Sequence, residues 1–354
     1  MIKSNYKVLG VMSGTSLDGI DLVYTAFNFD SNWQFEIICA ETLPYDKYWV
    51  NKLKGLVLLT ENELQQIDKE YTVYLASKIN RFIHKYKISE IDAICSHGHT
   101  ALHQPENKLT YQIGNLPDLA TLLQQTVVCD FRVQDVRLGG QGAPLVPIGD
   151  ALLFSEFDYC LNLGGFANIS TDINNKRVAY DICPVNIVLN YYVNQLGFDF
   201  DDSGSIASTG NVNQDLLNQL NNLGFYKEPY PKSLGLEWVY KNVIPLMDSF
   251  KLDIKGVLRT FVEHIAVQIS EEINHKNNAS VLITGGGVYH KLLIDKLKEK
   301  TNNAIVIPHK NIVEFKEALI FAFLGVLRLR GEVNCLQSVT GAQYDHSSGT
   351  IFYP

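Results

Sequence analysis

The feature that most constrains this fold is a plan that the chain uses twice. From Lys7 to Phe29 an apolar run, Val8 to Met12, breaks into the polar turn Ser13-Gly14-Thr15-Ser16-Leu17-Asp18-Gly19, and apolar alternation resumes at Leu22, Tyr24 and Ala26. After Asp30-Ser31-Asn32, Trp33 to Leu43 reads as a third strand. The second copy runs Tyr159 to Leu163, Gly164-Gly165, Phe166 to Thr171, Asn174-Asn175-Lys176 and Arg177 to Ile182. Each copy is strand, glycine turn, strand, polar turn, strand, which is a three-stranded meander. Two meanders on one plan amount to an internal duplication, so the chain must build two similar sheets.

Length permits this, since 354 residues suffice for roughly two domains with their own cores. Between the copies lies Val136 to Gly149, rich in glycine and proline, which reads as a linker or hinge. The expected domains are 1–137 and 138–337, with a tail, about 338–354, returning to the first. A formal charge of -8 argues against a nucleic-acid surface. The apolar stretch near the N-terminus is too short for a signal peptide, and Ala318 to Leu327 is too short to span a bilayer. The expectation is therefore a cytoplasmic protein with no membrane partner. Six cysteines without a CxxC pair read as reduced, mostly buried thiols.

Helical spacing appears after the first meander: Thr60-Glu61-Asn62-Glu63 is a capping box, followed by Leu64, Ile67, Tyr71, Leu75, Ile79, Phe82 and Tyr86. Ile91 to Cys95 reads as a short strand ending in Ser96-His97-Gly98-His99-Thr100, and polar groups just past a strand's carboxyl end are where open α/β sheets place ligands. Late in the chain Val281 to Thr284 meets Gly285-Gly286-Gly287 and then a helix, Val288 to Glu299. A helix N-terminus there would offer free amides and the positive end of its dipole to a nucleotide. A last helix, Glu314 to Arg330, carries Glu317 near its start.

Three glycine turns end strands in this arrangement: Gly14 to Gly19, Gly164-Gly165 and Gly285 to Gly287. Taken alone, the first is ordinary turn chemistry more often than a ligand loop, and the third is as readily packing as a ligand site. Together they suit phosphate held by both halves and a nucleoside at the third. Asp181, late in the third strand of the second copy, is a candidate general base; the competing reading is that it caps the helix beginning near Pro184. Arg132 offers a planar fork for a carboxylate or else a surface ion pair. Glu317 reaches a ligand hydroxyl or serves its helix dipole. His97, His99 and His103 lack the fuller donor set of a zinc site, so hydrogen bonding to a polar ligand, or simple loop structure, is their expected role.

The run Gly10 to Asp21, GVMSGTSLDGID, resembles the opening of the anhydro-N-acetylmuramic acid kinases, which belong to the sugar kinase, heat-shock ATPase and actin superfamily. The likeness continues through SHGHTALHQP (Ser96 to Pro105), QIGN (Gln112 to Asn115), DFRVQD (Asp130 to Asp135), GGQGAPLVP (Gly139 to Pro147), NLGGFANIS (Asn162 to Ser170), PKSLGLEW (Pro231 to Trp238), TGGGVYH (Thr284 to His290), FKEALIFAFLG (Phe315 to Gly325) and SVTGA (Ser338 to Ala342). This resemblance implies an α/β, duplicated ribonuclease-H-like (actin-like ATPase) fold of two domains around a nucleotide cleft. It implies that ATP and 1,6-anhydro-N-acetylmuramic acid yield N-acetylmuramic acid 6-phosphate and ADP during cell-wall recycling. Asp181 matches the aspartate that activates water. The resemblance also assigns Gly14, Thr15, Ser16, Leu17, Asp18, Gly19, Ile20 and Asp21 to ATP phosphates, with Asp18 near Mg2+. Gly164 and Gly165 become the second phosphate turn, and Gly285, Gly286 and Gly287 the adenosine side. By the same resemblance His97, Thr100, Arg132 and Glu317 are expected to face the sugar, and a homodimer is the assembly it suggests.

One segment departs from the family's usual Asp-Thr-Gly-Pro-Gly-Asn: here it reads Asp181-Ile182-Cys183-Pro184-Val185-Asn186. The expectation is that bulk at Val185 narrows the sugar pocket or alters phosphate approach. Two alternatives follow, a non-catalytic nucleotide-binding or regulatory protein and a kinase for a different sugar.

Overall fold

The computed structural model describes residues 3–14 and 16–354. Two compact units emerge: the chain through Leu153 together with Phe315–Pro354, and Phe154–Glu314. The boundaries differ from 137/138 and 337/338 because the glycine-rich stretch after Arg137 is tied into the first unit. Gly140 and Gly142 donate to the Asp135 backbone and side chain, Gln141 donates to the Thr340 carbonyl, and buried Asp150 pairs with Lys316 at 2.7 Å. The stretch Val136 to Gly149, read from composition as a linker or hinge, lies within the first unit and is bonded into it.

In the first unit β1 (Asn5–Ser13), β2 (Gly19–Phe29) and β3 (Trp33–Pro44) form the expected antiparallel meander. β4 (Ala93–Gln104) and β6 (Val127–Cys129) extend it in parallel on the β1 side, β12 (Thr350–Phe352) closes that edge, and β5 (Leu109–Ile113) pairs with the far half of β4. In the second unit β7 (Tyr159–Leu163), β8 (Phe166–Ile173) and β9 (Lys176–Pro184) form the second meander, extended in parallel by β10 (Ser280–Thr284) and β11 (Ala304–Val306). The order β6-β4-β1-β2-β3 corresponds to β11-β10-β7-β8-β9, so the duplication legible in the turns is a duplication of topology, to which the first unit adds β5 and β12.

Helices complete each unit. Thr60 caps Glu61–Tyr86 with the full capping box, and Leu64, Tyr71, Leu75, Ile79 and Phe82 enter the first core. Each such burial contributes ~2 kcal/mol, so this face rather than helix propensity anchors the element. The second core gathers β7 to β10 with the helix Ile254–Ile273, whose Leu258, Phe261, Val262, Ile265, Ile269 and Ile273 are buried. All six cysteines are free thiols, five of them buried. Among the described residues no helix is long and apolar enough to cross a membrane.

Two element boundaries alter the sequence reading. His97 to Gln104 do not lie past a strand's end but continue β4: its first half pairs with β1 and β6, and after Gly98, at φ 71, its second half pairs with β5. A left-handed glycine lets one strand serve two neighbours. The triple glycine does not open directly onto a helix either. A single tight turn, Gly286–Tyr289, intervenes, and the helix Lys291–Glu299 begins only where the His290 ring accepts the Leu293 amide at 3.2 Å. The amides at the start of this short turn, Gly286 and Gly287, belong to it and not to the helix Lys291–Glu299.

Candidate active site

The first unit brings His97 and Arg132 together. Arg132 Nε donates to His97 Nε2 at 2.9 Å, and His97 Nδ1 donates to the Gly98 carbonyl at 2.8 Å, which fixes the proton on Nδ1. Burial pushes the His97 pKa well down, helped by the Arg132 charge, so the ring is neutral. Arg132 Nη1 donates to the Gly142 carbonyl at 2.7 Å, and Phe321 lies beneath the guanidinium at 5.7 Å. Burial lowers the Arg132 pKa, opposed first by Glu317; an arginine stays charged regardless. Arg132 thus makes no surface ion pair, and no described contact engages its Nη2 edge.

Glu317 presents an exposed side chain although protein atoms crowd its carboxyl. That crowding raises its pKa, against the pull of Arg132 and Lys316. It therefore acts on Arg132 through its charge rather than through a direct bond. Thr100 is half-buried on β4 opposite Gln112 of β5, with no hydrogen bond to the His97–Arg132 pair.

Neighbouring groups missed by residue-level reading strengthen this cluster. Asp130, at φ 57, accepts from Asn115 Nδ2 at 3.0 Å, and burial pushes its carboxyl up to about 6. Asn115 also donates to the His97 carbonyl at 3.3 Å. Both residues sit in motifs quoted for the resemblance, the only sequence signal that marked them. His99 Nδ1 meets Ser13 Oγ at 2.8 Å, Ser13 meets Tyr45 at 2.6 Å, and burial pushes the His99 pKa down to about 4. His103 Nδ1 pairs with Thr110 Oγ1 at 3.0 Å. All three histidines hydrogen-bond within the protein, and all three lie in β4 and not in a loop.

In the turn after β1, Thr15 lies outside the described residues. Ser16 and Asp18 are exposed and Leu17 takes a left-handed backbone at φ 62. A Cβ at Gly14 would meet only Ser16 Oγ at 3.6 Å, so packing does not demand glycine there. Gly19 differs, because its Cβ would stand 2.6 Å from the Leu43 carbonyl oxygen. Ile20 is fully buried in the core, which leaves only its backbone to a ligand, and Asp21 accepts from Thr42 at 2.6 Å.

The second unit carries the other predicted residues. Asp181 lies within β9, half-buried; its amide donates to the Lys232 carbonyl at 3.0 Å and its Oδ2 accepts the Leu234 amide at 2.8 Å. Burial raises its pKa while the Leu234 amide lowers it. It caps no helix: the helix Asn186–Val193 starts after Val185, without a side-chain cap. Ile182, Cys183 and Val185 are buried in the hydrophobic core of this unit. The bulk at Val185 therefore fills the core, which corrects the expectation that it narrows a sugar pocket.

Gly164 commits its amide to the Phe166 carbonyl, whereas Gly165 is exposed, with nothing closer than 3.9 Å to a Cβ. Their carbonyls accept from Val185, Asn186 and Ile187, which knits the turn to the end of β9. Gly285, at φ 84, is pressed against Asn162 and Leu163, and Gly287 against Leu163, while Gly286 is open to 3.9 Å. Within the three turns, packing therefore leaves open space at Gly14, Gly165 and Gly286 but not at Gly19, Gly285 or Gly287.

Among the described residues, Asp135, Cys335 and His346 form the one His/Cys/Asp/Glu group close enough to share an ion, their donor atoms lying within 4.8 Å of one another. Both Asp135 oxygens already accept hydrogen bonds, from Gly142 and Thr340, each at 2.7 Å. We assign the group to hydrogen bonding.

Two three-stranded meanders, each extended in parallel from its first strand, define a duplicated ribonuclease-H-like fold of the actin-like ATPase class. Within that class the chain belongs to the anhydro-N-acetylmuramic acid kinase family, whose model matches residues 6–354. It is similar to the anhydro-N-acetylmuramic acid kinase of Sulfurimonas denitrificans, 32% identical over 97% of this chain and 98% of the relative. It is similar to that of Haemophilus influenzae at 31%, covering 97% of each, and to that of Xylella fastidiosa at 33%, covering 95% and 93%.

Proposed function

We propose that this protein is an ATP-dependent kinase that opens 1,6-anhydro-N-acetylmuramic acid and forms N-acetylmuramic acid 6-phosphate, a step in recycling cell-wall fragments. Family membership along almost the whole chain supports the reaction. The observation that carries the assignment of roles is the setting of Asp181. One of its oxygens is fixed by the Leu234 amide, which leaves Oδ1 to take a proton, and burial makes the ionised carboxylate a better base. Asp181 removes a proton from the water attacking the anomeric carbon. The C1–O6 bond of the anhydro bridge breaks, and O6 attacks the γ-phosphorus of ATP as ADP leaves.

Other residues bind and orient. Arg132 offers its Nη2 edge to the lactyl carboxylate of muramic acid, with neutral His97 holding the guanidinium in plane. Thr100 and Glu317 are read as partners for sugar hydroxyls. The backbone at Gly14 to Asp21 and at Gly165 is read as the phosphate cradle, and Gly286 as a point of approach for adenosine. The exposed carboxylate of Asp18 suits Mg2+, an ion usually held by one or two carboxylates, water and phosphate oxygens. When bound, the ion neutralises phosphate charge. The reading extends to a cytoplasmic homodimer, for which light scattering is the test of assembly.

The non-catalytic alternative rested on bulk at Val185, and that residue sits in the core. The decisive experiment incubates purified protein with ATP, Mg2+ and the anhydro-sugar. Sugar-dependent ADP release with a 6-phosphorylated product is expected; ADP release only with some other sugar overturns the substrate, and none with any sugar overturns the activity.

A further inference from the structure

Asp135 is completely buried, and its carboxylate serves two separate stretches of the first unit. Its Oδ2 accepts the Gly142 amide and its Oδ1 accepts the Thr340 hydroxyl, each at 2.7 Å. The Gly142 carbonyl in turn receives Arg132 Nη1 at 2.7 Å, and Arg132 Nε donates to His97 Nε2 at 2.9 Å. A continuous chain of contacts therefore leads from Thr340, near the C-terminus, to the imidazole of His97.

The C-terminal segment is anchored over the same loop at several points. The Thr340 carbonyl accepts the Gln141 amide at 2.8 Å, the Gln343 amide donates to Leu138 at 3.2 Å, and Ser348 Oγ donates to the Phe131 carbonyl at 2.6 Å. A side chain at Gly140 would stand 2.2 Å from the Asp135 carboxylate, so the loop closes tightly on that group. A buried carboxylate persists only when its acceptors are filled, and here the donors come from the loop that holds Arg132 and from the tail.

We propose that Asp135 and Thr340 are positioning residues for sugar recognition: they fix the Gly142 carbonyl, which orders the Arg132 guanidinium before the sugar arrives. An arginine ordered in advance loses less conformational freedom on binding. The inference rests on the reading of Arg132 as a sugar-binding residue.

Thr340→Val keeps the shape and removes the hydroxyl, while Thr340→Ser restores it. Steady-state kinetics with each substrate varied should give a sugar KM raised about tenfold in Thr340→Val, the effect of leaving one buried acceptor unfilled. The ATP KM should be unchanged, and Thr340→Ser should resemble the wild type. An unchanged sugar KM, or equal increases in both KM values, overturns the inference, because a merely structural role predicts no such split. If Thr340→Val does not fold, Asp135→Asn takes its place, since the amide leaves one of the two donors unanswered.

NMR gives a readout independent of turnover. The Arg132 Nε–H signal, assigned by its loss in Arg132→Lys, should be slow to exchange in the wild type and broadened in Thr340→Val. Identical exchange in both proteins also overturns the inference. A wild-type protein without sugar-dependent ADP release defeats the functional reading and this role with it, whereas an active wild type with an unaltered Thr340→Val defeats this role alone.

Discussion

Replacing Asp181 by Asn separates chemistry from stability, because the two should move in different directions. Asn is isosteric, and to keep the Leu234 amide bond at 2.8 Å it must present its carbonyl oxygen there. The amide nitrogen then stands where Oδ1 stood, and it has no lone pair basic enough to take a proton from water. Loss of a general base reduces turnover about 10^2- to 10^4-fold, or roughly 3–5 kcal/mol of barrier. For stability, burial raises the Asp181 pKa above its ordinary 3.8. The folded protein then binds this proton more tightly than the unfolded chain does. Stability falls as pH rises from 3.8 through the folded value and stays lower by a constant amount above it. At neutral pH the charge is a cost that Asn removes. Coupled ADP assays and calorimetry across pH should therefore show an almost inactive variant with undiminished ATP affinity and a Tm at pH 7 equal to or above wild type. The gap in Tm should close in acid. Turnover within tenfold of wild type, or a clear fall in Tm at pH 7, refutes the assignment.

Val185→Ala tests the direction in which that side chain points. Removing two buried methyl groups should cost about 2–3 kcal/mol and leave sugar KM unchanged in steady-state assays; a stable variant with lowered sugar KM would return Val185 to the pocket. Gly14→Ala should fold normally but raise the ATP KM, whereas Gly19→Ala should lower Tm, because only the latter Cβ meets backbone at 2.6 Å. Arg132→Lys should raise sugar KM about tenfold or more while sparing ATP KM, since an ammonium cannot keep the contacts to His97 and Gly142 together with a carboxylate. His97, its pKa well below 6.5, should show no imidazole titration by NMR between pH 6 and 8. Its contribution to stability should decline as pH falls below 6.5, because the unfolded ring binds a proton that the folded one refuses.

The sheets were legible because their signals are local. Alternation, glycine turns and a capping box are readable within a dozen residues, and both meanders and the helix Glu61–Tyr86 appear where those signals lie. What was not legible depends on partners distant in sequence. Composition marked Val136 to Gly149 as a linker, but Thr340 and Asp135 tie it into the first unit, and no local pattern announces a partner 205 residues away. The histidine run continued as strand because β5 supplies a second neighbour, and Asp181 proved not to be a cap because the Leu234 amide takes its carboxylate. The quoted DFRVQD and SVTGA motifs contain the hub residues, yet a motif read as letters does not say that its Asp and Thr meet.

The unusual segment after Asp181 follows the same logic. Of its six residues, Ile182, Cys183 and Val185 face the core, whereas Asp181 and Asn186 are half-buried and make polar contacts. The Val185, Asn186 and Ile187 amides still hold the Gly164-Gly165 turn at 2.8–3.3 Å. Backbone bonds of this kind do not depend on side-chain identity, so replacing small residues by Ile, Cys and Val can be absorbed by packing while the carboxylate and turn keep their relation. A core position tolerates volume only if its neighbours adjust. The residues to exchange together with Val185 when restoring glycine are therefore its core companions Val188 and Leu189, not the residues assigned to the sugar.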